Sequence, residues 1–164
     1  MKKDKSVKFK IIGTIHTPHT TIENIPIQPV GGKEYRGVIE ILPELTDALQ
    51  DLDGFSHIIL LFHFHKTKGY KLKVKPFMDD AEHGLFATRT PKRPSPIGLS
   101  TVKILKIEGN KIYFEGADML DGTPLIDLKP FYTKFDNRPD AICGWLDKKD
   151  EKVVRNMRSD DRFK

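Results

Sequence analysis

Arg89, Lys92 and Arg93 stand in residues 86–100, FATRTPKRPSPIGLS, among three prolines. Pro91, Pro94 and Pro96 fix φ and restrict Thr90, Arg93 and Ser95 to extended backbone. A stiff loop presents its cations with little entropy left to lose on binding, which suits a carboxylate or phosphate ligand. Read as structure alone, the segment is a proline-rich surface loop with solvated charges. Residues 118–131, DMLDGTPLIDLKPF, gather three acids, Asp118, Asp121 and Asp127. Such carboxylates would bind a metal, accept from a substrate amine or act as a base. Asp121-Gly122-Thr123-Pro124 also reads as a turn, with Asp opening it and Gly supplying permissive φ. That reading suffices for Asp121 and Gly122 and leaves Asp118 and Asp127 open.

Histidines form a third set. His57, His63 and His65 share odd positions and face one side of a strand over residues 55–65. A metal triad is excluded by distance, because His57 and His65 would stand roughly 26 Å apart on a straight strand. With one cysteine in the chain, structural zinc is not expected either. His65, at the strand end, is the histidine placed to touch a ligand, whereas His16 and His19 read as exposed loop residues. Residues 24–32, NIPIQPVGG, are an irregular loop whose backbone groups suit a flat polar ligand.

These segments need a framework. Residues 9–16, 35–42, 55–65, 100–107 and 111–117 are rich in β-branched and aromatic side chains and read as strands. The run over 55–65 is dense enough for a buried central strand. Gly109-Asn110 between two of these runs marks a hairpin. Residues 43–51, PELTDALQD, predict one short helix with proline in its first turn, and a second is expected near 149–157. Residues 17–33 and 88–96 resist regular assignment, and long irregular loops in a compact domain are usually functional. The expected fold class is mainly β: a single small β-barrel with one or two short helices, not a Rossmann fold. The barrel domain is expected over residues 1–145, followed by a charged C-terminal tail over 146–164.

The chain has 164 residues, 38% hydrophobic and 31% charged, a soluble globular balance. No apolar run reaches the roughly 20 residues of a membrane span, and no apolar segment follows the basic start as a secretory signal requires. A single cysteine, Cys143, gives no sign of an oxidising compartment, so a cytoplasmic location is expected. Its apolar surroundings, AICGWLD, predict a buried inert thiol. The net charge of +5 favours polyanionic partners, and much of the charge sits in residues 2–10 and 148–164. There is no GxGxxG, GxxxxGK[ST], HExxH or GxSxG motif, so Rossmann and P-loop nucleotide sites are unsupported.

In order, IGTIHTP, a Pro-x-Gln loop, LDGFSHIILLFHFH, GLFATRTPKRPSPIGLS and DMLDGTPLIDLKPF resemble the tRNA threonylcarbamoyladenosine N-methyltransferases over about residues 8–145. The resemblance implies an S-adenosyl-L-methionine-dependent enzyme with a small β-barrel. It implies a homodimer with the cofactor near the subunit interface; no membrane association and no metal are expected from the residues themselves. It also implies methylation of the exocyclic nitrogen of threonylcarbamoyladenosine beside the anticodon of tRNA. By the same resemblance, Pro26, Ile27, Gln28, His65, Lys66, Arg89, Leu99, Asp118, Met119, Leu120 and Asp121 would hold the cofactor. Arg89, Lys92 and Arg93 would suit the substrate's carboxylate or a phosphate. The acceptor nitrogen is conjugated to a carbonyl and needs a base; Asp118, Asp121 and His65 are the candidates. The chain departs from the family at Ile27 (arginine there), Ser95 (asparagine) and Phe131 (tyrosine). Longer members carry an additional C-terminal domain that does not follow here, so its tRNA contacts are expected to come from elsewhere or to be missing. Two alternatives stand beside this reading: a non-catalytic RNA-binding β-barrel, and a related methyltransferase with a different substrate.

Overall fold

Alternation along the apolar runs decides the architecture. In the computed structural model, which describes residues 5–163, Ile58, Leu60 and Phe62 point into a core while Ile59 and Leu61 lie half-buried on the outer face. The strand that carries them is β3 (His57–His63). The other strands are β1 (Gly13–His16), β2 (Arg36–Ile41), β4 (Lys73–Val74), β5 (His83–Gly84), β6 (Ile97–Glu108), β7 (Lys111–Glu115) and β8 (Thr123–Pro130). Six of them close into an antiparallel barrel in the order β1-β2-β7-β6-β3-β8. Closure leaves no unpaired sheet edge. Ile15, Ile39, Leu60, Ile112, Phe114 and Leu125 are fully buried inside it, each contributing about 1.5–3 kcal/mol by leaving water. β4 and β5 form a separate two-stranded hairpin in the connection between β3 and β6.

Several expectations change. Residues 9–12 are not a strand: Phe9 and Ile11 are exposed, and pairing begins at Gly13. The run over 55–65 buries one face only, because a barrel wall has an outside. The helix expected over 43–51 is a 3-10 turn, Pro43–Leu49, with Leu49 buried. So short a segment between two barrel strands lacks the length for a cooperative α-helix. β8 was not foreseen as a strand, because the turn and acid signals in residues 118–131 masked it. The hairpin at Gly109-Asn110 forms as expected, with Gly109 at φ +58. The helix expected near 149–157 is α2 (Glu151–Asn156), its first turn capped by the Asp150 carboxylate accepting from the Lys152 N–H. A one-turn helix, α1 (Thr133–Asp136), follows β8. Cys143 is exposed, not buried. Lys2, Lys3 and Lys164 lie outside the described residues.

The strand directions have one consequence for function. Because all six pairings are antiparallel, three ends share one rim: the C-terminal ends of β1, β7 and β3. The N-terminal ends of β2, β8 and β6 join them there, as the register His16↔Val38, His63↔Ile97 and Arg36↔Glu115 requires. The connections over residues 17–35, 64–96 and 116–122 therefore emerge at one end of the barrel, and the β2–β3 connection, residues 42–56, at the other.

A candidate cofactor and nucleophile-activating site at the barrel rim

Every site residue expected from the sequence except Leu99 lies in those three connections, and Leu99 is on β6 close to the same rim. The first loop is anchored by Pro26, which is fully buried. Gln28 precedes a 3-10 turn, Pro29–Gly31, that leans on the β7–β8 connection. A Cβ on Gly32 would lie 2.9 Å from the Ala117 carbonyl oxygen, so only glycine allows this approach. Gln28 Oε1 accepts from Arg89 Nη1 at 3.3 Å, across 61 residues of sequence. Among the described residues the guanidinium has that one neutral hydrogen-bond partner, and it is otherwise exposed.

The proline-rich loop is stiffened from inside as well as by its prolines. Thr88 and Thr90 are buried, with the Thr88 hydroxyl donating to the Leu85 carbonyl at 2.7 Å. Arg93 donates to the carbonyls of Thr88 (2.8 Å) and Leu85 (3.4 Å) and lies over the Phe86 ring. Its guanidinium braces the loop, which leaves Arg89 as the cation offered outward; Lys92 is half-buried. The Phe64 N–H donates to the Pro96 carbonyl at 2.8 Å, tying the exit of β3 to the end of this loop.

The three acids do not stay together. Asp127 pairs with Lys129 at 2.8 Å along β8. Asp121 is a brace: its Oδ1 accepts from the Thr17 N–H at 3.1 Å, its own N–H donates to the His19 carbonyl at 2.8 Å, and His16 Nδ1 stands 3.5 Å away. Asp118 is different. Both its oxygens accept from the Ser100 hydroxyl, at 2.8 and 2.9 Å. The residue keeps some exposed surface, yet the barrel surrounds its carboxyl so closely that desolvation pushes its pKa up to about 7, with the Ser100 hydrogen bond opposing. Among the described residues no cation pairs with it to reverse that. It is a carboxyl poised to exchange a proton near neutral pH.

His65 lies just past β3, half-buried, and burial together with the neighbouring Lys66 lowers its pKa. The ring is a neutral donor and acceptor near pH 7. Lys66 itself is exposed. Ile27 and Leu120 are half-buried, while the Met119 side chain is in the core, so only its backbone faces the rim. Leu99 is 51% exposed on the outer face of β6 beside inward-facing Ser100. His19 is not an exposed loop residue: its Nε2 lies 3.1 Å from the Ala117 carbonyl and its ring meets Tyr35 edge-on. Burial lowers its pKa. His57 and His63 stand at opposite ends of β3, and among the described residues no three His, Cys, Asp or Glu side chains gather as a metal set.

Ser100 was missed in the sequence. The signal was present, since it is the one hydroxyl on the inward parity of Gly98, Ser100 and Val102.

The arrangement has a cation for a carboxylate, an exposed leucine and half-buried isoleucine for an apolar ring, acids for hydroxyl or ammonium groups, and a proton-exchanging carboxyl. Comparisons with known proteins place the chain in a family. Residues 14–137 match the family described as the tRNA-methyltransferase O N-terminal domain. A probable S-adenosyl-L-methionine-binding protein of Pyrococcus abyssi is 43% identical over 155 residues, covering 94% of this chain and 84% of that protein. A mouse tRNA (adenine(37)-N6)-methyltransferase is 45% identical over 93 residues, 55% of this chain and 22% of the mouse protein. The crystal structure of TrmO from Pseudomonas aeruginosa superposes with a TM-score of 0.72 at 34% identity, covering 86% of this chain and 63% of that one. The chain thus spans most of the archaeal relative, but less than two thirds of the solved TrmO chain.

Proposed function

The chain belongs to the tRNA-methyltransferase O family, and from that membership we propose that it transfers a methyl group from S-adenosyl-L-methionine to N6 of threonylcarbamoyladenosine beside the anticodon of tRNA. The observation that carries the reading is the Asp118–Ser100 pair at the rim where the matched segments converge. The residues fit the cofactor by donor chemistry. Arg89, oriented by Gln28, would take its carboxylate. Ile27 and Leu99 would cover its purine, and the backbone of residues 118–121 would face its polar groups. When bound, S-adenosyl-L-methionine supplies an electrophilic methyl group on a cationic sulfur.

The acceptor nitrogen is weak because its lone pair is shared with the carbamoyl carbonyl. The ionised Asp118 carboxylate would accept the N6 proton as the nitrogen–methyl bond forms and the carbon–sulfur bond breaks. Its raised pKa makes it a stronger base than a solvated aspartate, and Ser100 keeps it aimed. The rigid loop behind Arg89 supplies placement, which contributes much of the rate in a two-reactant transfer.

We place the enzyme with its tRNA in the cytoplasm, working as a homodimer. Exposed apolar side chains near the rim, Phe86 (79%) and Leu99, support a partner surface. No described helix is long and apolar enough to cross a membrane.

Two measurements test the reading together. Purified protein with S-adenosyl-L-methionine and tRNA lacking the methyl group should yield methylated threonylcarbamoyladenosine by nucleoside mass spectrometry. The same nucleoside should disappear from the tRNA of a deletion strain. Cofactor binding without any methylated nucleoside in either assay would leave the fold and the cofactor site and overturn the methyl transfer.

A further inference from the structure

Residues 131–163 leave β8 at the end of the barrel opposite the site, since Pro130 pairs with Ile58. They then return to the rim. Ser159 reaches the first loop with four hydrogen bonds. Its hydroxyl accepts from the Ile25 N–H and donates to the Ile22 carbonyl. Its carbonyl accepts from the Asn24 N–H, and its own N–H donates to the Ile25 carbonyl, each at 2.9 Å. Asn24 is held at φ +64, a left-handed conformation that a non-glycine residue adopts at a cost. Pro26 and Arg158 form an isolated bridge at the same place. A Cβ on Gly31 would lie 2.6 Å from the Arg155 carbonyl oxygen, so α2 and the loop touch backbone to backbone.

The same segment grips the proline-rich loop. Trp145 Nε1 donates to the Ala87 carbonyl at 2.9 Å, two residues before Arg89, and its ring stacks on His83 at 4.4 Å. Lys149 pairs with Asp79 at 3.3 Å, and Arg162 donates to the Pro76 carbonyl. The matched family domain ends at residue 137, before any of these groups.

We propose that residues 144–163 are a strap, in which Ser159 and Trp145 are positioning residues that hold Gln28 and Arg89 against each other for cofactor binding. Neither residue reaches the rim chemistry itself. The geometry makes the strap a common backing for two loops that meet through one 3.3 Å hydrogen bond. The inference rests on the cofactor reading above for its ligand, though not for its mechanical content.

The test uses the full chain with Ser159→Ala, Ser159→Thr and Trp145→Phe, which delete or keep single hydrogen-bonding groups. Amide hydrogen exchange without ligand should speed roughly 10-fold over residues 22–32 in Ser159→Ala, and over 85–89 in Trp145→Phe, with β3 unchanged. Ser159→Thr should restore protection. Titration with S-adenosyl-L-methionine should show roughly 10-fold weaker binding in both deleting variants. KM for the cofactor should rise while kcat at saturation is kept. Unchanged exchange overturns the strap, and so does faster exchange with unaltered cofactor affinity in a parent that binds. A parent that binds no S-adenosyl-L-methionine overturns the cofactor reading, and the exchange arm alone then decides the strap.

Discussion

Asp118 carries the most specific expectation at the scale of single residues. Its carboxyl is raised to about 7 by burial, while in the unfolded chain it titrates near about 4. Between those values the native state holds a proton that the unfolded state has lost. Stability contributed by this group is therefore present below about pH 4 and is lost as pH rises through about 7. Thermal melts of the parent and of Asp118→Asn across pH 4–8 should show that decline in the parent and its absence in the variant. Activity has the opposite sign, because the base must be ionised: kcat should rise through about pH 7. Asp118→Asn should cost roughly 10²–10⁴-fold in kcat. Ser100→Ala removes a donor that favours the charged form, so the midpoint of the kcat profile should move up. A flat profile in the parent would take Asp118 out of the proton transfer. Arg89 makes a second residue-scale prediction. Arg89→Ala should weaken S-adenosyl-L-methionine binding by roughly 10- to 150-fold, the value of a charge-assisted contact, without lowering the melting temperature. Arg93→Ala should lower the melting temperature, since its guanidinium is spent on the loop's own carbonyls, and should weaken binding less than Arg89→Ala because it makes no direct contact with the cofactor. Isothermal titration and melts on the two variants separate these roles.

At the scale of elements, the β3–β6 pair sets the rim. Gly98 lies opposite Phe62 in register, and a Cβ there would stand 2.2 Å from the Phe62 ring. Phe62 is buried and cannot yield cheaply. Gly98→Ala should therefore cost about 1–3 kcal/mol by overpacking. At this chain length that lowers the melting temperature by roughly 2–12 °C. It should also reduce cofactor affinity, because Leu99 and Ser100 follow directly on the same strand. A melting temperature equal to the parent's would mean that the strand shifts to accept the methyl. The two 3-10 turns that flank β2, Pro29–Gly31 and Pro43–Leu49, show the same economy of length. Each begins with proline and spans too few residues for a stable α-helix.

For the whole molecule, the closed barrel is complete without a partner, yet its surface is not uniformly polar. Phe135 is 72% exposed and Ile142 91%, in the segment that leaves the barrel after β8. Like Phe86 and Leu99, they are exposed apolar side chains of the kind that two-fold assemblies cover. Light scattering at micromolar concentration should return about twice the 18.8 kDa chain mass. An active species with the mass of one chain would remove the dimer from the proposal. tRNA binding should also weaken steeply with salt, because a chain of net charge +5 meets a polyphosphate backbone.

Local chemistry in the sequence determined much of this. The β-branched runs, the glycine-asparagine turn and the prolines of residues 88–96 act over a few residues, so the barrel class, the hairpin and the stiff loop were legible. So was the family, because its motifs are contiguous strings. Distance in sequence hid the rest. Gln28 and Arg89 meet across 61 residues, and Ser159 meets Ile25 across 134; no pattern in either neighbourhood announces the other. In the sequence Asp121 reads as part of a turn, while Asp118 and Asp127 are not distinguished. Only the barrel separates those two, burying Asp118 against Ser100 while Asp127 pairs with Lys129 along β8. A carboxyl's pKa follows from what surrounds it, and that is decided by which strands close the barrel.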